Sequence, residues 1–503
     1  MTSLGHLLRE RARQAGDRPL FVFDGATTTV GEVESLTNRL AGVLRAHGVE
    51  RGDRVAVMLA NGIGFPVAWL AIAKLGAVAV PLNAGYRSAD IAHVIGDSGA
   101  RLALAGTPEA AADLRAAGVT VGLLDPRLRE APGVVEAVAA VGQDAFDATA
   151  ELAAAPDDFP LPDLGPDDLV NLQYTSGTTG FPKGCMLTHG YWLRLAELAA
   201  EIADVREGDV DLTAQPFSYM DPQWNTVLCL MAGIPLVVLP RFSATTFWRS
   251  VREHGVTFFY VLGTMPVYLL KQPADPLDRA NRVRLVLCSG IVPELHAVLE
   301  ERWGAPWREA YGSTETGVDL AVPIGDGASV GSGAVGRAVR GKQVRVVDGE
   351  LLVRGEPMML GYWNGAQPDK IRDGWLHTGD LARLDERGHV HLAGRRKDMI
   401  RRGGENVAAA EVEAVLARHS AVEAAAVVGV PDELRGEEVK AYVLAAGPVT
   451  AAELVAFVAE RLAGFKVPRY VSFVEEFPMT PSERIAKHLL DAPHDYDRLR
   501  EHP

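Results

Sequence analysis

Between Leu36 and Leu44 apolar side chains recur at Leu36, Leu40, Val43 and Leu44, the spacing of one helical face. Gly48 and Gly52 punctuate the chain, and Val55-Ala56-Val57-Met58-Leu59 then runs apolar without a break, as a strand covered on both sides does. Phe65 to Leu75 predicts a helix and Ala77 to Leu82 another strand. Strand, helix, strand is the repeat of a parallel sheet clothed in helices. Further runs at Leu236 to Leu239, Phe258 to Leu262 and Leu285 to Cys288 carry this α/β reading through the first three hundred residues.

The texture changes after Gly317. Glycines crowd Gly325 to Gly349, and Val344 to Val347, Glu350 to Val353 and His389 to Leu392 are short alternating runs that predict a small antiparallel element. Beyond Arg395 the pattern is extended at Met399-Ile400, helical from Ala410 to Arg418, extended from Ala424 to Val430 and helical from Ala452 to Leu462. That is enough for one small α+β domain. No fixed-period repeat is visible, and the alanine-rich stretches at 110–117 and 137–155 stop short of low complexity.

A chain of 503 residues with 48% hydrophobic and 23% charged residues has the composition of folded domains and not of a disordered chain. Its formal charge of -15 opposes a general electrostatic mode of nucleic-acid binding. Cys185, Cys229 and Cys288 are too few and too scattered for a disulfide framework or a thiolate zinc site, which fits a reducing, cytoplasmic setting. The opening residues Met1 to Glu10 carry charges where a secretion signal needs an apolar core. The longest apolar stretch, Thr226 to Pro240, is interrupted by Gly and Pro and is shorter than the roughly twenty residues of a membrane span, so buried core is expected.

The densest chemistry lies in Tyr174-Thr175-Ser176-Gly177-Thr178-Thr179-Gly180-Phe181-Pro182-Lys183-Gly184. Three glycines, four Ser/Thr hydroxyls and one lysine suit a polyphosphate, because backbone amides form an anion nest, hydroxyls add bonds and the lysine neutralises charge. The same composition also fits a surface loop. The spacing is not that of the common P-loop. Gly331-Ser332-Gly333-Ala334-Val335-Gly336 spells a dinucleotide fingerprint, but no strand precedes it and no helix follows, which excludes NAD. His189, His296 and His377 lack metal-ligand spacing.

The Thr175 to Gly184 segment resembles the phosphate loop of the adenylate-forming superfamily: acyl-CoA synthetases, luciferases and nonribosomal adenylation domains. Lys74 to Asn83, Tyr311-Gly312-Ser313-Thr314-Glu315-Thr316-Gly317, Trp375 to Asp380 and Gly394-Arg395-Arg396-Lys397-Asp398-Met399-Ile400 follow in that family's order, so the resemblance spans nearly the whole chain. It implies an N-terminal domain over 1–394 of α/β sheets plus a β subdomain, a hinge at 395–397 and a mobile α+β C-terminal domain over 398–503. By the same resemblance, Thr175, Ser176, Gly177, Thr178, Thr179 and Gly180 with Lys183 hold ATP phosphates. Tyr311-Gly312 receives adenine, Thr314 contacts the α-phosphate, Glu315 coordinates Mg²⁺, Asp380 accepts from the ribose hydroxyls, and Arg395 supplies a second contact to ribose or phosphate. Lys397 is the hinge residue, and Gly403-Gly404 lines the pantetheine tunnel.

The acid pocket is expected around Tyr219, Met220, Trp224 and Gly290. Asp221 fits two roles, a pocket group favouring a substrate with a donor or cation, or the first turn of a helix. One departure from the family pattern concerns Pro-x-Thr-x-x-Gly-Lys, whose lysine serves adenylation: Pro478-Met479-Thr480-Pro481-Ser482-Glu483-Arg484 puts Arg484 there, with Lys487 three residues on. The resemblance implies a cytoplasmic acid:CoA ligase using ATP, Mg²⁺ and CoA, with a small-molecule acid and no nucleic acid or membrane span. The alternatives are another acid, including an inorganic oxyacid, another acceptor such as an amine or carrier-protein thiol, and a nucleotide-binding protein that has lost catalysis.

Overall fold

The computed structural model describes residues 2–128, 145–175, 182–263, 265–402, 405–479 and 485–501. The chain forms two compact units, Met1–Gln343 with Arg354–Gly374, and Val344–Val353 with Trp375–Pro503.

In the larger unit, a seven-stranded sheet runs in the order 145–147, 120–123, 102–105, 54–58, 78–81, 169–175, 183–188. Its first six strands are parallel and the last pair is antiparallel. The predicted strand–helix–strand repeat is there as Arg54–Met58, Gly64–Leu75 and Val78–Pro81. Every residue of that helix is buried, which is why its sequence reads apolar all round. Lys74, also fully buried within it, is held by Glu34 Oε2 at 2.7 Å and Asn38 Oδ1 at 2.6 Å.

A second sheet begins with parallel strands Phe258–Leu262, Leu285–Ser289 and Trp307–Ser313, and continues antiparallel through Gly317–Ala321 and Ala334–Ala338. Its core stacks Trp248 on Trp303 with centroids 4.8 Å apart, and Trp303 lies 5.6 Å from Trp307. The segment with the dinucleotide spelling leads into the Ala334–Ala338 strand, so the helix such a site needs does not follow. A third sheet joins 211–213, 236–238, 19–23 and 26–29. Thr226 to Pro240 divides between the helix Met220–Ala232 and the buried strand Leu236–Val238, as expected for core.

The smaller unit contains the predicted antiparallel element: Gln343–Val347, Glu350–Arg354, Trp375–Leu384 and Val390–Arg395 lie side by side in that order. A further sheet pairs Val422–Asp432 with Gly436–Ala445, and Ala409–Leu416 and Ala451–Ala459 share its core through Val412, Leu416, Leu454 and Val458. Among the described residues no helix is long and apolar enough to cross a membrane.

Candidate active site

The glycine-rich loop is flanked by antiparallel strands whose register sets Thr175 opposite Lys183 and Tyr174 opposite Gly184. Tyr174 anchors the first flank by donating its hydroxyl to Asp97 Oδ2 at 2.6 Å. Ser176, Gly177, Thr178, Thr179 and Gly180 lie outside the described residues. Lys183 Nζ stands 5.9 Å over the ring of Tyr362, and the Tyr362 hydroxyl donates to Glu315 Oε1 at 2.5 Å. Burial and the charge of Lys370 lower the Lys183 pKa, while Glu315 pulls it back up. One phenol therefore links the loop's cation to the carboxylate named for Mg²⁺.

Glu315 sits on the turn between Trp307–Ser313 and Gly317–Ala321. That turn is tight: a Cβ on Gly312 would fall 1.9 Å from the carbonyl oxygen of Gly317, so position 312 admits only glycine. Glu315 O accepts from Met359 N at 2.7 Å and Thr314 O from the Tyr191 hydroxyl at 2.9 Å. Beneath the turn, Lys342 Nζ donates to Thr316 O (2.6 Å), Gly355 O (3.1 Å) and Pro357 O (2.5 Å) and pairs with Asp319 Oδ1 (3.1 Å). Asp319 Oδ2 accepts from Thr316 Oγ1 at 2.5 Å. Burial lowers the Lys342 pKa and raises that of Asp319, each against the pull of its partner. This clamp escaped the sequence reading because it depends on which strands neighbour each other.

Tyr219 precedes the helix Met220–Ala232, and its hydroxyl accepts from Asn83 Nδ2 at 2.9 Å. The backbone there is pinned from below by fully buried Gln223, whose Nε2 donates to Phe217 O (2.9 Å) and Tyr219 O (3.1 Å) while Oε1 accepts from Asn171 (2.9 Å). Asp221 lies in the first helical turn, where an acid complements the helix dipole, and it accepts from Trp224 Nε1 at 3.4 Å. Of its two expected roles, the helix start is therefore met. Trp224 meets Tyr260 edge-on at 5.9 Å, and Tyr260 donates to Ser289 Oγ at 2.8 Å. Gly290 (φ +95°) faces open space, since a Cβ built there meets nothing within 4 Å. Gly290 directly follows the carboxyl end of the parallel strand Leu285–Ser289, where open α/β sheets take ligands. Glu309, which the sequence reading passed over, accepts from the backbone N–H groups of Gly290 (3.1 Å) and Ile291 (2.5 Å).

In the smaller unit, strand register brings Asp380 opposite Arg395, whose Nε lies 2.8 Å from Asp380 Oδ1. The two ribose candidates are thus one ion pair. Glu350 accepts from Gly379 N (2.9 Å) and Arg396 Nη1 (3.2 Å), which holds the same segment. Lys397 falls in the short turn Arg396–Asp398. Lys487 Nζ pairs with Glu413 Oε1 at 2.6 Å. Gly403, Gly404 and Arg484 lie outside the described residues.

A hard dication retaining water and binding phosphate oxygens needs one or two carboxylates, and Glu315 supplies that donor type beside Lys183. Among the described residues no group of three or more His, Cys, Asp or Glu side chains converges as an all-protein metal cage. His189 accepts from Leu4 N in the core, and His296 lies 2.8 Å from Trp307 O.

Residues 8–363 match the model of the AMP-binding enzyme family, and residues 411–484 that of the AMP-binding enzyme C-terminal domain. A long-chain-fatty-acid–CoA ligase of Mycobacterium tuberculosis, FadD13, is 31% identical over 97% of this chain and 98% of its own length. An oxalate–CoA ligase of Arabidopsis thaliana is 32% identical over 98% and 99%. Among solved structures, o-succinylbenzoate CoA synthetase from Bacillus subtilis with its acyl-adenylate intermediate superposes with a TM-score of 0.85 at 28% identity, covering 98% of this chain and 99% of that one. The same enzyme with ATP and magnesium ion gives a TM-score of 0.82 at 28% identity over 96% and 98%.

Proposed function

This chain belongs to the AMP-binding enzyme family, and we propose how its residues divide the work of an AMP-forming acid:CoA ligase. The reaction runs through an acyl-adenylate and uses ATP, Mg²⁺ and CoA. In the first half, a carboxylate oxygen of the acid attacks the α-phosphorus of ATP, the bond to the β-phosphate breaks and pyrophosphate leaves. In the second, the CoA sulfur attacks the acyl carbon, its proton passes to solvent and AMP departs.

Lys183 and Arg484 compensate charge that builds on the α-phosphate and its leaving group. Thr175, Ser176, Gly177, Thr178, Thr179 and Gly180 cradle the phosphates, Thr314 contacts the α-phosphate, and Tyr311 stacks on adenine beside the small Gly312. Asp380 and Arg395 take the ribose. Glu315 holds Mg²⁺, which when bound supplies positive charge to the polyphosphate. Tyr219, Met220, Trp224 and Gly290 wall the acid pocket. The C-terminal domain, 398–503, turns about a hinge at 395–397 to bring Gly403 and Gly404 to the pantetheine. Three free, buried thiols support a cytoplasmic setting.

The observation that carries this reading is the Lys183–Tyr362–Glu315 arrangement beside the strand Lys183–Thr188 that follows the glycine-rich segment. It is tested by measuring pyrophosphate release and thioester formation with palmitate, oxalate, o-succinylbenzoate and benzoate. Pyrophosphate without thioester for every acid would point to a different acceptor, and no pyrophosphate would remove the ligase reading. Lys397→Pro, which fixes φ at the hinge, should spare acyl-AMP formation and block thioester formation. Equal loss of both halves would argue against a hinge there.

A further inference from the structure

Glu309 is a carboxylate on an interior strand of the second sheet. It lies on Trp307–Ser313, two residues before Tyr311, and pairs in register with Cys288 on the neighbouring parallel strand. Only 5% of it is exposed. Its two oxygens accept the consecutive N–H groups of Gly290 and Ile291, where the chain leaves the strand Leu285–Ser289 before the helix Pro293–Trp303. A neutral amide at this position could accept only through one oxygen and would set its own N–H bonds against the other donor. An ionised carboxylate, by contrast, can accept from both amides at once.

Among the described residues, the groups that set the protonation of Glu309 include no cation. Cys288, its register partner on the adjoining strand, and Tyr260 on the strand beyond, one residue out of that register, both feel its charge, and burial pushes both toward their neutral forms. On the antiparallel side, Asp319 is occupied by Lys342 and Thr316. On the following helix, His296 lies against Trp307 O, and Glu300 takes Arg308, the next residue along the strand. Burial pushes Glu309 up to about 7, and the two N–H bonds oppose that rise.

We propose that Glu309 is a pH-responsive positioning residue for the acid pocket: its ionised carboxylate holds the Gly290–Ile291 turn in the shape that receives the acid, and protonation releases that turn. The inference rests on the reading of Gly290 as a pocket wall. It makes acid capture, and not ATP capture, the step that weakens as the medium acidifies.

The test compares wild type with Glu309→Gln in pyrophosphate release between about pH 6 and about pH 8.5, using whichever of palmitate, oxalate, o-succinylbenzoate and benzoate turns over fastest. Wild-type kcat/KM for the acid should fall below about pH 7, and Glu309→Gln should lose that limb. At the alkaline end the variant's KM for the acid should rise about tenfold, the scale of a lost bond to a charged acceptor, while KM for ATP stays within about twofold. A parallel rise in both KM values, or a wild-type profile flat across the range, overturns the proposal.

Selective ¹⁵N-isoleucine labelling gives an arm that needs neither substrate nor variant. The Ile291 amide should titrate with a midpoint near 7 in the wild type, and a static amide overturns the proposal. Tyr219→Ala separates the two levels. If it raises KM for the acid and Glu309→Gln does not, the pocket stands and the role of Glu309 falls. If neither does, the pocket reading itself has failed.

Discussion

Replacing Lys342 by Met removes an ammonium that is fully buried and shared among four oxygens. What remains is Asp319, 1% exposed, with Thr316 Oγ1 as its hydrogen-bond donor, and three backbone carbonyls that lose a strong donor. Both members of the pair are shifted by burial toward their neutral forms, so the pair itself adds little net stability, whereas breaking it from one side leaves a charge in a dry site. The expected cost is about 3–5 kcal/mol for Lys342→Met. Adding Asp319→Asn should return a substantial part of it, a coupling of about 1–3 kcal/mol. Urea unfolding followed by tryptophan fluorescence measures each corner of the cycle. A single-variant loss below about 1 kcal/mol, or strictly additive losses, would refute the reasoning. Because the clamp fixes Thr316 and the 355–357 segment on either side of Glu315, Lys342→Met should also slow pyrophosphate release under conditions where it is still folded.

Glu315→Gln should abolish pyrophosphate release without unfolding the chain, since an amide is a poorer ligand for a hard dication; adenylation at the wild-type rate would end the metal assignment. Arg484→Ala should slow single-turnover acyl-AMP formation by about a hundredfold and spare thioester formation from supplied acyl-adenylate, while Lys487→Ala, its side chain already paired with Glu413, stays near wild type; the reverse pattern would transfer the role to Lys487. Burial pushes Asp211 up to about 8, above its ordinary 3.8, so folding favours its protonated form. Its contribution is fullest below the ordinary carboxylate range and is lost as the pH rises through about 8. Thermal melting of Asp211→Asn should show a shallower decline toward alkaline pH than the wild type, and parallel curves would remove Asp211 as the cause.

What could be read from sequence was what local pattern and motif order encode. The apolar runs at Val55 to Leu59 and Ala77 to Leu82 became the strands Arg54–Met58 and Val78–Pro81, because a strand covered on both faces has no polar face to disguise it. Helices such as Ala409–Leu416 and Ala451–Ala459 lie within a few residues of their predicted bounds, where a buried face alternates with an exposed one. The alanine-rich stretch at 110–117 overlaps the helix Pro108–Ala116, which alanine favours but which its composition alone did not announce. Candidate site residues could be named where they are adjacent in the chain, as with Thr314-Glu315. The site was opaque where register creates the neighbourhood: nothing about Glu309 or Lys342 in isolation says that the one caps the Gly290–Ile291 turn and the other gathers three carbonyls from two segments. Asp380 and Arg395 come from two motifs, and only strand pairing makes them one ion pair.

The indoles of Trp248 and Trp303, stacked, and of Trp307, tilted against Trp303, have a practical consequence. Aromatic rings at these separations couple their electronic transitions, so this part of the larger unit should carry its own near-ultraviolet circular dichroism signature. Trp307 begins the strand that bears Glu309 and Tyr311, so the signal is an optical gauge of the scaffold beneath the acid and nucleotide sites. The smaller unit contains Trp375 and none of these three indoles, so its melting should leave the exciton band untouched and register elsewhere in the spectrum. A variant with lost activity and an intact band has been altered in its chemistry; one with a faded band has lost its frame.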